Sequence, residues 1–214
     1  MAFTTGTDAN GFTTFSGTAS TPDPVTDLSE FNTALADSNV DVINVQSGIT
    51  INLSGTKTIS RDGVAIVGES PTRPIFQGKF KIGAGRSNVA IAGIKVDAQN
   101  GNDGIAVEGI STNPAKDVLV EDCEIINGNN KGIASKYVER ITIKRCIIRG
   151  CKQDGIWQKL SSFMKITECV LYDNGTRLDK DHGCYTSSFN DDYEFSYNAS
   201  IFNKANGLKH RGPS

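Results

Sequence analysis

A chain of 214 residues can build one sizeable core or one elongated domain, yet 37% hydrophobic and 7% aromatic content is lean for a compact globule of that size. The formal charge of −2 weighs against a nucleic-acid partner, which usually shows as a basic surplus. No run of about 18 apolar residues is present, which excludes a helical membrane span.

The N-terminus, "MAFTTGTDANGFTTFSG", has neither a basic n-region nor an apolar h-region, so no signal peptide is expected. Residues 1–24 read as an N-terminal extension. The stretch 27–37, "DLSEFNTALAD", places Leu28, Phe31 and Leu35 on one helical face, and Asp27 and Glu30 stand at capping-box spacing. A short amphipathic helix here would cover the first turn of whatever follows and shield its sheet edges.

From residue 25 to 214 the chain is repetitive. A glycine followed by an apolar residue recurs in "DGIAVE", "KGIASK", "DGIWQK", "HGCYTS" and "NGLKHR", with Gly104, Gly132, Gly155, Gly183 and Gly207 spaced 28, 23, 28 and 24 apart. A second series, "VLVEDCEI", "ITIKRCII", "MKITECVL" and "YEFSYNAS", runs between them with Cys123, Cys146, Cys169 and Asn198 in register. "NVAIAGIKV" and "GVAIVGE" are earlier members. Both segment types alternate with period 2 and are β-branched, which rules out helical repeats. Two strand types recurring together every 23–29 residues predict an all-β parallel β-helix with a short N-terminal capping helix.

Stacked coils place equivalent residues one above another, so Cys123, Cys146 and Cys169 are expected as an inward column of free thiols acting as small apolar side chains. No CxxC pair suggests a metal or redox site. If Ile105, Ile133, Ile156, Cys184 and Leu208 point inward, alternation turns Ala106, Ala134, Trp157, Tyr185 and Lys209 outward. Two positions later stand Glu108, Lys136, Lys159, Ser187 and Arg211; just before the glycines stand Asp103, Lys131, Asp154, His182 and Asn206. The last coils thus carry Trp157 and Tyr185 among Lys136, Lys159, Lys209 and Arg211, with Asp154, Asp181 and His182 alongside. An aromatic face stacks on sugar rings, and Lys and Arg pair with carboxylates or sulfates. That pattern predicts a saccharide-binding face, with ordinary solvated surface as the plain alternative.

The opening "VTDLSEFNTAL", "DVINVQSGITI", "KTI" and "VAIVGE", with the later "DHGCY" and "EFSYNASIFNKANGLKHRG", resembles the pectate-lyase superfamily of right-handed β-helices, which includes polysaccharide lyases, alginate epimerases and phage-borne relatives. The resemblance implies a right-handed coil and action on an acidic, uronate-containing polysaccharide by β-elimination or C5 epimerisation. Pectate lyases usually carry an Asp-His pair where this chain reads "VEDCEI", with Glu121, Asp122 and Cys123. For such chemistry Lys209 or His182 would be the base, Tyr185 the proton donor and Arg211 the carboxylate clamp. Trp157, Lys159, Lys136 and Asp154 would hold the substrate. The competing expectation is a non-catalytic phage fibre, tailspike segment or adhesin that binds glycans or serves as a rod. Either would work outside the cell or on a virion.

No cofactor is demanded. Asp179, Asp181, Asp191 and Asp192 offer oxygen ligands for Ca²⁺, and a solvated acidic turn accounts for them equally. "NGLKHRGPS" carries no amphipathic segment after the last coil. The expectation is therefore a longer parent chain, or a second copy, partner or further domain covering that end.

Overall fold

The computed structural model describes residues 3–7, 13–17, 21, 23–99, 102–187 and 192–211. The chain winds into a parallel β-solenoid of about seven coils, with one helix among the described residues, Leu28–Ala36. The first row of strands forms a seven-stranded sheet that ends in Ala115–Glu121, Val138–Lys144, Ser162–Thr167 and Tyr193–Ser196. The second and third rows share a twelve-stranded sheet, because the long strand Ile75–Ile82 belongs to both. Its start pairs with Lys95–Asp97 and its end with Ile105–Glu108.

Glycine spacing follows from the winding. A Cβ on Gly132 would lie 2.6 Å from the Gly155 carbonyl oxygen and 2.3 Å from Ile148 Cγ2. No side chain fits where consecutive coils approach this closely, so each coil repeats a glycine there.

The expected cysteine column is present. Cys123, Cys146 and Cys169 are buried and free, and each Sγ faces backbone carbonyls, as Cys146 does with Lys144 at 3.3 Å. Burial pushes the Cys146 thiol well above its ordinary value. In the next coil Asn198 takes over, its Oδ1 accepting from the Cys169 amide at 2.8 Å. A second ladder runs through Cys151, Asn174 and Asn203: Asn174 Oδ1 accepts from the Cys151 amide at 3.1 Å, and Asn203 Oδ1 from the Asn174 amide at 3.0 Å.

Sharp corners are made by side-chain-bearing residues in the left-handed region. Asp122, Arg145, Glu168 and Tyr197 have φ of 52°, 51°, 57° and 55° at one corner, and Tyr137 and Leu160 have 51° and 53° at another. Such positions are disfavoured for L-residues. Here amides bonded to the neighbouring coil, such as Asp122 to the Lys144 carbonyl at 3.0 Å, hold the corner.

The capping helix closes the first coil with Phe31 at 5.3 Å from Phe76 and 6.2 Å from Phe80, ring centre to ring centre. Asp27 Oδ1 accepts from the Glu30 amide at 2.9 Å, and Glu30 Oε2 accepts from the Thr26 amide at 2.7 Å, one residue earlier than in a reciprocal capping box. An antiparallel pair, Phe3–Thr7 with Thr13–Gly17, lies against the first-row sheet, where the outward column Val42, Ala65, Ala90 and Leu119 is buried. At the other end, Tyr193–Ser196, Ala199–Ile201 and Leu208–Arg211 each have a strand neighbour on one side among the described residues.

Candidate functional site

The third row carries the predicted face: Ile105–Glu108, Ile133–Lys136, Ile156–Lys159, Cys184–Ser187 and Leu208–Arg211 pair in parallel. Trp157 is the Cα partner of Tyr185, and Tyr185 of Lys209. Lys136 pairs with Lys159, Lys159 with Ser187, and Ser187 with Arg211. Ile133, Ile156 and Cys184 are fully buried, while Trp157, Tyr185 and Lys209 are half-buried and Lys136, Lys159 and Arg211 are exposed. Coils about 4.8 Å apart make this one continuous strip.

Charge on the strip changes along the solenoid. Glu108 is neutralised by Lys81 at 2.7 Å and Lys79 at 3.9 Å. From Lys136 onward, Lys136, Lys159, Lys209 and Arg211 have no ion pair with a described residue. By contrast, Arg140, Arg145 and Arg149 on other faces are paired with Asp117, Asp122 and Glu124 at 2.6, 2.7 and 2.8 Å. Lys131 and Lys136 each stand 5.0 Å from an aromatic ring centre, over Trp157 and Tyr137. Neither Lys131 nor Tyr137 stands among the substrate-binding residues expected from sequence. Lys136 and Tyr137 are chain neighbours, whereas Lys131 meets Trp157 through coil-to-coil reach, which residue spacing does not encode.

Four polar groups expected on this surface are buried instead: Asp103 and Asp154 are 6% exposed, His182 2% and Asp181 0%. Asp103 Oδ1 accepts from the Lys131 amide at 3.2 Å, Asp154 Oδ1 from the His182 amide at 2.7 Å, and His182 Nδ1 from the Asn206 amide at 3.0 Å. The residue before the glycine is thus an acceptor for the backbone of the next coil. Such an amide, buried and unpaired, is costly, so these side chains turn inward. An Nδ1 that accepts makes His182 the Nε2–H tautomer. Burial, then the charges of Lys209 and Arg211, hold its pKa below the ordinary histidine value. Burial pushes the Asp154 carboxyl up to about 6, against the pull of the His182 amide and Lys131.

His182 nonetheless lies with the group it was expected to join. Its ring stacks on Tyr185 at 5.6 Å, and Lys209 and Arg211 are near enough to act on it. Of the four, His182 is buried and stacked on half-buried Tyr185, and Lys209 and Arg211 lie on the next coil, paired with Tyr185 and Ser187. His210 occupies an inward third-row position, its Nδ1 3.1 Å from Thr186 Oγ1 and its ring stacked on Tyr193.

Asp181 is likewise committed within the fold. Its side chain is fully covered, and Arg177 Nη2 at 2.6 Å and the Arg177 and Thr176 amides at 2.7 and 2.9 Å donate to it. Burial alone would raise this carboxyl; Arg177 and the two amides outweigh it and bring it to about 2. Asp179 and Asp192 are exposed, and Asp191 lies outside the described residues. Among the described residues no group of three or more His, Cys, Asp or Glu is placed to share a metal ion.

A roomy cleft, about 660 Å³, lies away from the strip, at the corner lined by Glu69, Pro71, Arg73, Lys95, Asp122 and Glu124. Asp122 and Glu124 are already ion-paired there, so its size carries no chemistry of its own. No described helix is long and apolar enough to cross a membrane.

Residues 37–209 match the family model described as right handed beta helix region. The chain belongs to the right-handed β-helix family. The pectate-lyase branch is not singled out by that match. Among solved structures, the catalytic domain of a GH87 alpha-1,3-glucanase in complex with tetrasaccharides is similar at 17% identity and a TM-score of 0.57, covering 90% of this chain and 38% of that one. This β-helix chain therefore spans well under half the length of that neighbour. ORF18 of Geobacillus virus E2 aligns at 10% identity and a TM-score of 0.26, covering 80% of this chain and 54% of that one, which is too slight to carry an argument. No curated protein matches.

Proposed function

We propose that this β-helix chain is a carbohydrate-active protein that holds a uronate-containing polysaccharide on the third-row strip and acts on it by β-elimination or C5 epimerisation, outside the cell or on a virion. The observation that carries this reading is the run of Lys136, Lys159, Lys209 and Arg211, without ion pairs among the described residues, beside the half-exposed rings of Trp157 and Tyr185. Cations left unneutralised next to aromatic faces suit a ligand that brings both carboxylates and sugar rings.

In the elimination, Lys209, once it has released its own proton to solvent, takes the C5 proton while Arg211 pairs with the uronate carboxylate. The C–H electrons form the C4–C5 double bond, the C4–O4 bond breaks, and the Tyr185 hydroxyl protonates the departing O4. In the epimerisation, the C5 carbanion instead receives a proton on its opposite face. His182, stacked on Tyr185, is a positioning residue in this scheme.

A second reading, a glycan-binding fibre or adhesin without turnover, draws support from one observation. Asp154 and His182 both serve backbone amides, leaving only Lys209 and Tyr185 as proton-transfer groups among the residues expected to carry catalysis. Incubation with alginate, pectate and glycosaminoglycans, read by absorbance of the unsaturated product and by C5 proton exchange in D₂O, separates the two. Turnover or exchange that Lys209→Ala abolishes without changing the thermal midpoint supports catalysis, and Trp157→Ala is expected mainly to weaken binding. Binding without turnover or exchange supports the rod, and absence of binding across the panel overturns both.

A further inference from the structure

Each aromatic ring of the strip has one face covered, but by different kinds of group. Tyr185 has the His182 ring stacked on it at 5.6 Å, and His182 is pinned by its bond from the Asn206 amide. Trp157, the only tryptophan in the chain, is covered by the ammonium of Lys131, 5.0 Å from the ring centre. Lys131 comes from the preceding coil, in the column just before the glycines, and makes no ion pair among the described residues. The Lys131 ammonium is held over the half-buried indole by the ring quadrupole and by the attraction of the Asp154 carboxylate, with no hydrogen bond or ion pair among the described residues to fix it. Its flexible four-carbon stem lets it swing away.

We infer that Lys131 is a specificity-determining residue of the strip, occupying the Trp157 face in the free protein and yielding it to a saccharide that carries a carboxylate. The inference rests on the glycan-binding reading above. An arriving carboxylate offers Lys131 a charge-assisted hydrogen bond, stronger than its hold on the ring. The ammonium moves to the carboxylate, and the indole is released to stack on the sugar. A neutral sugar must displace the ammonium without compensation, so the same lysine that attracts an acidic glycan disfavours an uncharged one.

Tetramers of galacturonate and of mannuronate, each as free acid and as methyl ester, test this, because the members of each pair differ in charge and not in sugar backbone. Affinities are measured calorimetrically, together with emission of the single tryptophan, for the parent, Lys131→Met and Lys131→Arg. The parent is expected to prefer the free acids, with a change in emission on binding. Lys131→Met should bind the methyl esters about two- to fivefold more tightly than the parent and the free acids more weakly, whereas Lys131→Arg should keep the parent's preference. Lys131→Gln repeats the comparison if methionine disturbs folding. A parent that prefers acids while the charge-free variants show no gain for esters removes the role of Lys131 and leaves the glycan-binding reading intact. Emission identical in parent and Lys131→Met without glycan also overturns it. Failure of the parent to bind either free acid removes both.

Discussion

At the scale of single residues, Asp154 and His182 show how a repeat recruits chemically versatile side chains for backbone work. Both are buried to accept an amide from the next coil, yet their titrations have opposite signs. With a folded-state pKa near 6 against about 3.9 unfolded, Asp154 is the better proton binder when folded. Its contribution is fully present below about pH 4 and lost as pH rises through about 6. His182, held below its ordinary value, contributes fully above about pH 6.5 and loses that contribution as pH falls through its folded value. Asp154→Asn keeps an acceptor for the His182 amide without a buried charge. It should therefore stabilise the chain at pH 7–8 by about 1–3 kcal/mol, raising the thermal midpoint by about 2–4 °C per kcal/mol, and the advantage should vanish near pH 4. Between about pH 6.5 and 5, above the range where Glu108, Glu124 and Glu139 protonate, the decline that remains in the Asp154→Asn variant reports His182. Unfolding scans from pH 4 to 8 check both; a uniform loss of stability in the variant would show that the carboxylate's charge is used in the fold.

At the scale of elements, the asparagine ladder bears more than its surroundings suggest. Asn174 is fully buried; its Oδ1 accepts from the Cys151 amide, and its Nδ2 donates to the Ile148 carbonyl and to Asn203 Oδ1, each at 3.0 Å. Asn174→Ala leaves an interior amide and carbonyl without partners and should cost about 2–5 kcal/mol in denaturant unfolding, with an unchanged m-value. Cys151→Ala, in the same column, breaks only a long contact from Sγ to the Arg149 carbonyl at 3.8 Å. It should cost about 1 kcal/mol, and equal losses in the two variants would mean that packing rather than the ladder holds this corner.

At the scale of the whole molecule, the two ends of the solenoid differ. The first coil is closed by the helix through Phe31, whereas the last described coil leaves Tyr197 89% and Phe202 82% exposed beside strands with one neighbour each. Such edges pair readily with another chain. The 214-residue chain is expected to self-associate with rising concentration in sedimentation equilibrium. Tyr197→Lys with Phe202→Lys, both at exposed corners, should suppress this without lowering the thermal midpoint. A monomer at every concentration would remove the expectation of a covered end.

Much of this architecture is written in local sequence. The glycine spacing, period-2 alternation and Cys123–Cys146–Cys169–Asn198 column determine the coil, its inner and outer faces and the Trp157–Tyr185–Lys209 strip, because alternation is a property of an extended backbone wherever it occurs. The residues just outside the strands were not legible in the same way. Whether Asp154 and His182 face solvent or a buried amide, whether Lys131 lies over Trp157, and whether Asn174 and Asn203 continue the column of Cys151 depend on contacts between coils 23–29 residues apart. Corners at Arg145, Glu168 and Tyr197 adopt a backbone that those residue types do not signal. Only the stacked coils decide these points, since the partners that stabilise each orientation are brought together by winding and not by adjacency in the chain.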